Sequence, residues 1–143
     1  MIIVDVNLLL YAVISGFPQH EAARAWWDKT LSDAFEIGLA SPSLFGFLRI
    51  ATNPRVLERP LSVVQAAEYV SEWMARPNVT FVVPGAGHLE VALGLLREVG
   101  TAGNFTTDVQ LAALALERDA ELCSNDTDFG RFGGLRWTNP LAH

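Results

Sequence analysis

One cysteine and one lysine stand in a chain of 143 residues, and both scarcities narrow the reading. A lone Cys123 excludes an internal disulfide framework, and its place in an apolar run points to a buried, inert thiol. No apolar stretch nears the roughly 20 residues of a membrane helix, and no basic, cleavable leader opens the chain, so the expectation is a soluble, cytoplasmic protein without a membrane partner. Gly-x-Gly-x-x-Gly and Walker loops are missing, which removes the common nucleotide-cofactor readings. Ser41, Ser43 and Ser124 lack a nucleophile-elbow pattern, and Cys123 has no convincing histidine partner. His20, His88 and His143 show no metal-ligand spacing. Repeats, linkers and low-complexity segments are also lacking, so residues 1–143 read as a single domain.

What is present is apolar and acidic. Half the residues are hydrophobic, enough for one real core. A mean hydropathy of +0.25 is high for a small domain and suggests apolar surface covered by a partner or a second copy. Trp26 and Trp27 sharpen that expectation: neighbours on a helix point about 100° apart, so both cannot face one core. The net charge of −6 argues at first against a polyanion ligand. That objection weakens if some acids hold divalent cations, because local charge decides how a phosphate is received. Nine of the ten basic residues are arginine, which suits phosphate contact and protein interfaces alike.

The order of elements follows from hydrophobic periodicity. Ile2-Ile3-Val4 reads as a buried strand, with a helix after Pro18 carrying Ala22, Ala23, Trp26, Trp27 and Leu31. Ile37 to Ala40 is a second strand, and Ser41-Pro42 reads as an N-cap and first-turn proline of a helix through Ile50. Ser62 and Gln65 form a capping-box pattern. Val79 to Val83 is a strand, His88 to Val99 a helix ended by Gly100, Thr107 to Arg118 a helix, and Leu122-Cys123-Ser124 the last core strand. Alternation of this kind implies βαβ units and a three-layer α/β/α domain around a mainly parallel sheet. Ligands in such sheets bind beyond the carboxyl ends of the strands.

That rule sorts the acids. Asp5 follows the first strand, Asp126 and Asp128 follow the last, and Asp108 opens the helix leading into it. Each has a plain structural role open to it: Asp5 could cap the next helix, Asp108 could be a first-turn acid, and Asn125 to Asp128 could be a turn. Taken together they flank both strand exits at the expected ligand edge. Carboxylates there, with few cations beside them, are matched by magnesium, which takes oxygen ligands and keeps several waters.

At these residues the sequence resembles the PIN-domain ribonucleases, in particular the VapC toxins of bacterial toxin–antitoxin pairs. The resemblance spans almost the full length. It rests on Ile2-Ile3-Val4-Asp5-Val6-Asn7, on Phe47 to Val56, on Gly103-Asn104-Phe105-Thr106-Thr107-Asp108, and on Ser124-Asn125-Asp126-Thr127-Asp128-Phe129 followed by Gly134-Leu135-Arg136-Trp137. It implies endonucleolytic RNA cleavage dependent on Mg²⁺ or Mn²⁺, with catalytic Asp5, Asp108 and Asp126. Asp128 is a fourth metal ligand, and Asn7 and Ser124 give polar support. It also implies a small VapB-like antitoxin as partner and a homodimer. Arg49 and Arg55 are candidate contacts to RNA phosphates, with a solvated or antitoxin-facing role equally open. Many family members carry a glutamate in the helix after the second strand; here Gly46 aligns with it. Two other functions therefore stay open: a PIN-like module that binds RNA or protein with weak catalysis, and a metal-dependent phosphatase or DNA nuclease.

Overall fold

The computed structural model describes residues 1–33 and 35–142, the side chain of Asn104 excepted, so His143 and that side chain lie outside the described residues. Strand β1 (Ile2–Val4) is followed at once by helix α1 (Val6–Val13), then α2 (His20–Ser32), β2 (Ile37–Ala40), α3 (Ser41–Ala51), α4 (Val63–Met74), β3 (Val79–Val82), α5 (His88–Val99), α6 (Thr106–Glu117), β4 (Glu121–Cys123) and β5 (Trp137–Thr138). Short 3-10 turns at Gly103–Phe105 and Thr127–Arg131 precede α6 and separate the last two strands. The five strands form one sheet in the order β3-β2-β1-β4-β5, and every pairing is parallel.

Alternation along each strand builds two cores. Val4, Ile37, Leu39 and Cys123 point to the face covered by α1 to α4, where Leu8, Leu9, Trp27, Phe47 and Trp73 pack. Ile3, Ala40, Val82 and Leu122 point to the other face, against α5 and α6 with Leu95, Leu111 and Leu114. The three-layer expectation holds. Each fully buried leucine contributes roughly 1.5–3 kcal/mol of transfer free energy, so both layers are strongly held. The expectation that Trp26 and Trp27 cannot share one core is corrected: Trp27 is buried and Trp26 packs half-buried against the same cluster, so the exposed apolar surface comes from other residues.

Several boundaries follow the local signals closely. Ser62 accepts from the Gln65 N–H while the Gln65 side chain accepts from the Ser62 N–H, completing the capping box. Gly100 ends α5 at φ 81°, the left-handed conformation that favours glycine. One boundary is corrected and two elements are added. Ser41 is the first helical residue and Ala40 the cap, because β2 runs into α3 without a turn. Helix α1 is an additional element: it has 8 residues and is mostly apolar, with Leu8, Leu9, Leu10 and Ala12 buried, and so short an apolar run does not distinguish helix from strand. The core strand read at Leu122-Cys123-Ser124 spans Glu121–Cys123, and a further edge strand, β5, pairs outside it, Leu122 with Trp137 and Cys123 with Thr138. Two residues are too few to display a period of two.

The chain steps from β1 to β2 to β3 in one direction and then places β4 on the opposite side of β1. The crevice between β1 and β4 is therefore the point where strand order reverses, the usual ligand position in open parallel sheets.

Candidate metal centre

Register brings the first two acids together. Val4 pairs with Cys123, so the residues that leave β1 and β4, Asp5 and Ser124, are neighbours. The Asp5 N–H donates to the Cys123 carbonyl at 3.0 Å, which continues the ladder one residue past the strand. The Asp5 carboxylate is buried and spends both oxygens within the protein. Oδ1 accepts from the Val6 N–H at 2.7 Å, capping α1, and Oδ2 accepts from Ser124 Oγ at 2.7 Å.

Ser124 is wholly buried and fully used. Its hydroxyl donates to Asp5 and accepts from Asn7 Nδ2 at 3.3 Å and from the Asp126 N–H at 2.9 Å, which exhausts one proton and two lone pairs. Asn7 reaches back through Oδ1 to the Asn125 N–H at 3.4 Å, so α1 and the segment after β4 are tied from both sides. The Trp137 indole N–H donates to the Ser124 carbonyl at 3.1 Å, and Asn139 Nδ2 donates to Asn125 Oδ1. These last two supports come from β5 and the segment beyond it; Trp137 belongs to the resemblance, but its hydrogen bond to Ser124 and that of Asn139 were not legible from the residues.

Asp126, Asp128 and Asp108 form the half-exposed part of the site. Asp126 caps the 3-10 turn, its Oδ1 accepting from the Asp128 N–H at 2.9 Å. Asp108 stands in the first turn of α6. One carboxylate oxygen from each of Asp108, Asp126 and Asp128 lies within 4.8 Å of the others, an arrangement that could hold a metal ion. Asp5 is outside this tight group but close enough to act on it. Burial, then the charges of Asp5, Asp126 and Asp128, push the Asp108 pKa up to about 7. Burial also raises that of Asp5, against the lowering effect of its Ser124 and Val6 hydrogen bonds, with Asp126 adding repulsion.

Among the described residues no arginine, lysine or histidine makes an ion pair with any of the four acids. The protein thus gathers negative charge in a partly dry place without supplying the opposite charge itself. The donor set is all oxygen, hard and ionisable, and fits a divalent cation such as magnesium.

The other candidates fall out as follows. Cys123 is buried, and burial followed by Glu121 pushes its thiol up to about 12, an inert group. Ser43 donates to the Val4 carbonyl at 2.7 Å, fastening α3 to the strand that ends at Asp5. His20 Nδ1 lies 2.8 Å from the Tyr11 carbonyl, and His88 Nδ1 lies 2.6 Å from Glu117 Oε2, so neither joins the acid cluster. Gly46 is buried where α3 crosses α1: a Cβ there would lie 3.1 Å from Val6 Cγ2. Arg49 lines a cleft of about 630 Å³ that none of the four acids lines, whereas Arg55 is exposed in the turn after α3 and does not line it.

The fold is a parallel α/β/α domain that clusters aspartates at the switch point of its sheet, where they could hold a metal ion. The chain belongs to the PIN-domain family, whose model matches residues 2–135. It is 59% identical over 141 residues to Ribonuclease VapC33 of Mycobacterium tuberculosis, covering 99% of both chains. Ribonuclease VapC37 of the same organism is 42% identical over 142 residues, again with 99% of each covered. Among solved structures, VapBC-1 from nontypeable Haemophilus influenzae superposes with a TM-score of 0.69 at 18% identity, covering 99% of this chain and 100% of that one, a likeness of fold.

Proposed function

We propose that this protein is a divalent-metal-dependent endoribonuclease, the toxin half of a type II toxin–antitoxin pair, with Mg²⁺ as its cation and Mn²⁺ as a substitute. The observation that carries the reading is the trio Asp108, Asp126 and Asp128 within 4.8 Å of one another, uncompensated by any basic side chain among the described residues. The 59% identity to a protein named a ribonuclease supports the choice of RNA over other phosphate esters.

When bound, the cation supplies an activated water and offsets charge on the phosphate undergoing displacement. The chain's own part is to hold the acids. Asp108, Asp126 and Asp128 present oxygens to the ion. Asp5, fixed by Ser124 and the Val6 N–H, would add negative charge from within. Asn7 and Ser124 lock the two strand exits together, and that fixed geometry spares reorganisation during the reaction. Arg49 contacts RNA phosphate from α3, and Arg55 contacts it further along the strand.

The partners are a small antitoxin and a second copy of the chain. Exposed apolar side chains support coverage by both: Val63 and Val64 at the start of α4, and Leu89 and Leu93 one turn apart on α5. No helix among the described residues is long and apolar enough to cross a membrane.

The test is cleavage of unpaired and structured oligoribonucleotides by the purified chain, with Mg²⁺ or Mn²⁺ titrated in and then removed with EDTA. Cleavage that requires the ion is expected. RNA bound but left intact with either ion would favour the binding-module reading, and preferential cutting of DNA or of a phosphomonoester would favour the other.

A further inference from the structure

Asp108 stands in a first helical turn whose cap position is filled by Phe105, where serine, threonine, asparagine or aspartate is usual. A phenylalanine side chain offers no acceptor to the free N–H groups of that turn, and helix ends without such support fray. The segment leading to it turns on Gly100 and Gly103, both at positive φ, 81° and 44°. Asp108 is thus carried by the least secured part of α6.

Asp126 and Asp128 are supported separately. Their turn is tied to β4 through Ser124 and to the core through Phe129, which is wholly buried. Among the described residues no hydrogen bond runs from this turn to segment 101–110. What joins the two is aromatic. The Phe105 ring meets Phe132 edge-on, with centroids 6.4 Å apart and planes at 86°, and Phe132 packs on Phe129 at 6.0 Å. Arg131, the last residue of the 3-10 turn, places its guanidinium carbon 5.3 Å from the centre of the Phe105 ring. A cation at that separation is attracted by the ring face.

We infer that Phe105 and Arg131 form a clasp that sets the interval between Asp108 and the pair Asp126 and Asp128, which makes them positioning residues of the metal centre. The inference rests on the metal-dependent reading and adds what holds the acids together before an ion arrives. Phe105 precedes Asp108 by three residues and Arg131 follows Asp128 by three, so the clasp lies close to one acid on each side. Carboxylate oxygens within 4.8 Å of one another repel when ionised, and that repulsion drives the two turns apart.

The placement of Arg131 supports this role. It makes no ion pair among the described residues, so it neutralises none of the acids that would hold a cation. A guanidinium beside a helix N-terminus also meets the unfavourable end of the dipole. The Phe105 face and the negative charge nearby are what keep it there. Magnesium tolerates little departure from octahedral geometry, so an interval fixed in advance raises affinity, as supports behind metal ligands commonly do.

The experiment is titration of the full chain with Mn²⁺ alone, without RNA, by calorimetry and by the paramagnetic resonance signal of unbound ion. Wild type, Phe105→Leu, Phe105→Tyr, Arg131→Leu and the double variant Phe105→Leu with Arg131→Leu are compared, with metal-free melting recorded for each. Phe105→Leu should weaken Mn²⁺ binding about two- to fivefold in the wild-type background and change it far less in the Arg131→Leu background. Phe105→Tyr, which keeps the ring face, should retain wild-type affinity. Arg131→Leu also removes a positive charge that opposes the ion, so its part is read from the difference between the two backgrounds. An equal loss from Phe105→Leu in both backgrounds would overturn the clasp. So would tyrosine behaving as leucine does, or lowered metal-free melting with affinity intact, which is the mark of packing alone. A wild type that binds no Mn²⁺ would overturn the metal-dependent reading itself, a result distinct from binding indifferent to Phe105 and Arg131.

Discussion

Ser124 Oγ donates to Asp5 Oδ2 across 2.7 Å, joining residues 119 positions apart at the neighbouring exits of β1 and β4. Because Asp5 is 4% exposed, this bond and the one from the Val6 N–H partly offset the desolvation of its carboxylate. Ser124→Ala removes a donor to Asp5 and an acceptor for Asn7 and the Asp126 N–H. A loss of about 1–3 kcal/mol at neutral pH is expected in urea unfolding, with weaker divalent binding by calorimetry. An unchanged metal isotherm would show that Asp5 and its support do not shape the centre.

The pH dependence has a definite sign. Folding raises Asp108 from 3.8 to about 7, and raises Asp5 as well, so the metal-free folded state holds more protons than the unfolded chain in this window. Stability should therefore fall as pH rises from about 4 to about 7. A divalent cation binds the deprotonated acids, so its affinity should climb over the same range and offset the loss. Thermal melting of metal-free wild type against Asp108→Asn across this range checks it: the variant should have the flatter profile. Equal slopes would contradict the raised Asp108 pKa, which burial and then the neighbouring carboxylates produce.

Gly46 tests whether a missing acid matters. An exposed helical glycine replaced by alanine gains about 1 kcal/mol, but here the new Cβ meets Val6 Cγ2 at 3.1 Å. Gly46→Ala should gain nothing or lose stability in chemical denaturation, with Val6→Ala in the same chain relieving the contact. Gly46→Glu in that relieved background places a carboxylate near Val6, next in sequence to Asp5, and should tighten divalent binding and raise cleavage. Tighter metal binding without faster cleavage would mean that catalysis is not limited by the count of acids.

Much of this was legible from the residues, for reasons that particular positions make plain. Asp5 is legible because the β-branched run Ile2-Ile3-Val4 ends in aspartate at the carboxyl edge of a parallel sheet, and the register of Val4 with Cys123 brings the segment carrying Asp126 beside it. The capping box and Gly100 were legible because their signals are local. Helix α1 was hidden by being a short, mostly apolar run, and β5 by having two residues. The division of labour among the acids was also beyond the sequence. Asp5 is buried and bonded to Ser124, while Asp128 joins Asp108 and Asp126 in the group that could hold a metal ion. The Glu117–His88 pair spans 29 positions with no pattern to join them.

The two arginines offered for RNA differ in place, and so should their effects. Arg49 lines the cleft and Arg55 does not. Arg49→Ala should raise KM more than Arg55→Ala, and reduce the slope of log affinity against log salt by about 1. Filter binding in calcium at several salt concentrations measures this. A larger effect at Arg55 would move the RNA path away from α3.

The most direct measurement is RNA cleavage against Mg²⁺ concentration for wild type and Asp108→Asn, purified identically. A magnesium-dependent activity in wild type that falls by at least a hundredfold in the variant, on the order of a lost transition-state electrostatic contact, is the predicted result. Equal cleavage by both proteins, or cleavage indifferent to EDTA, would contradict the metal centre.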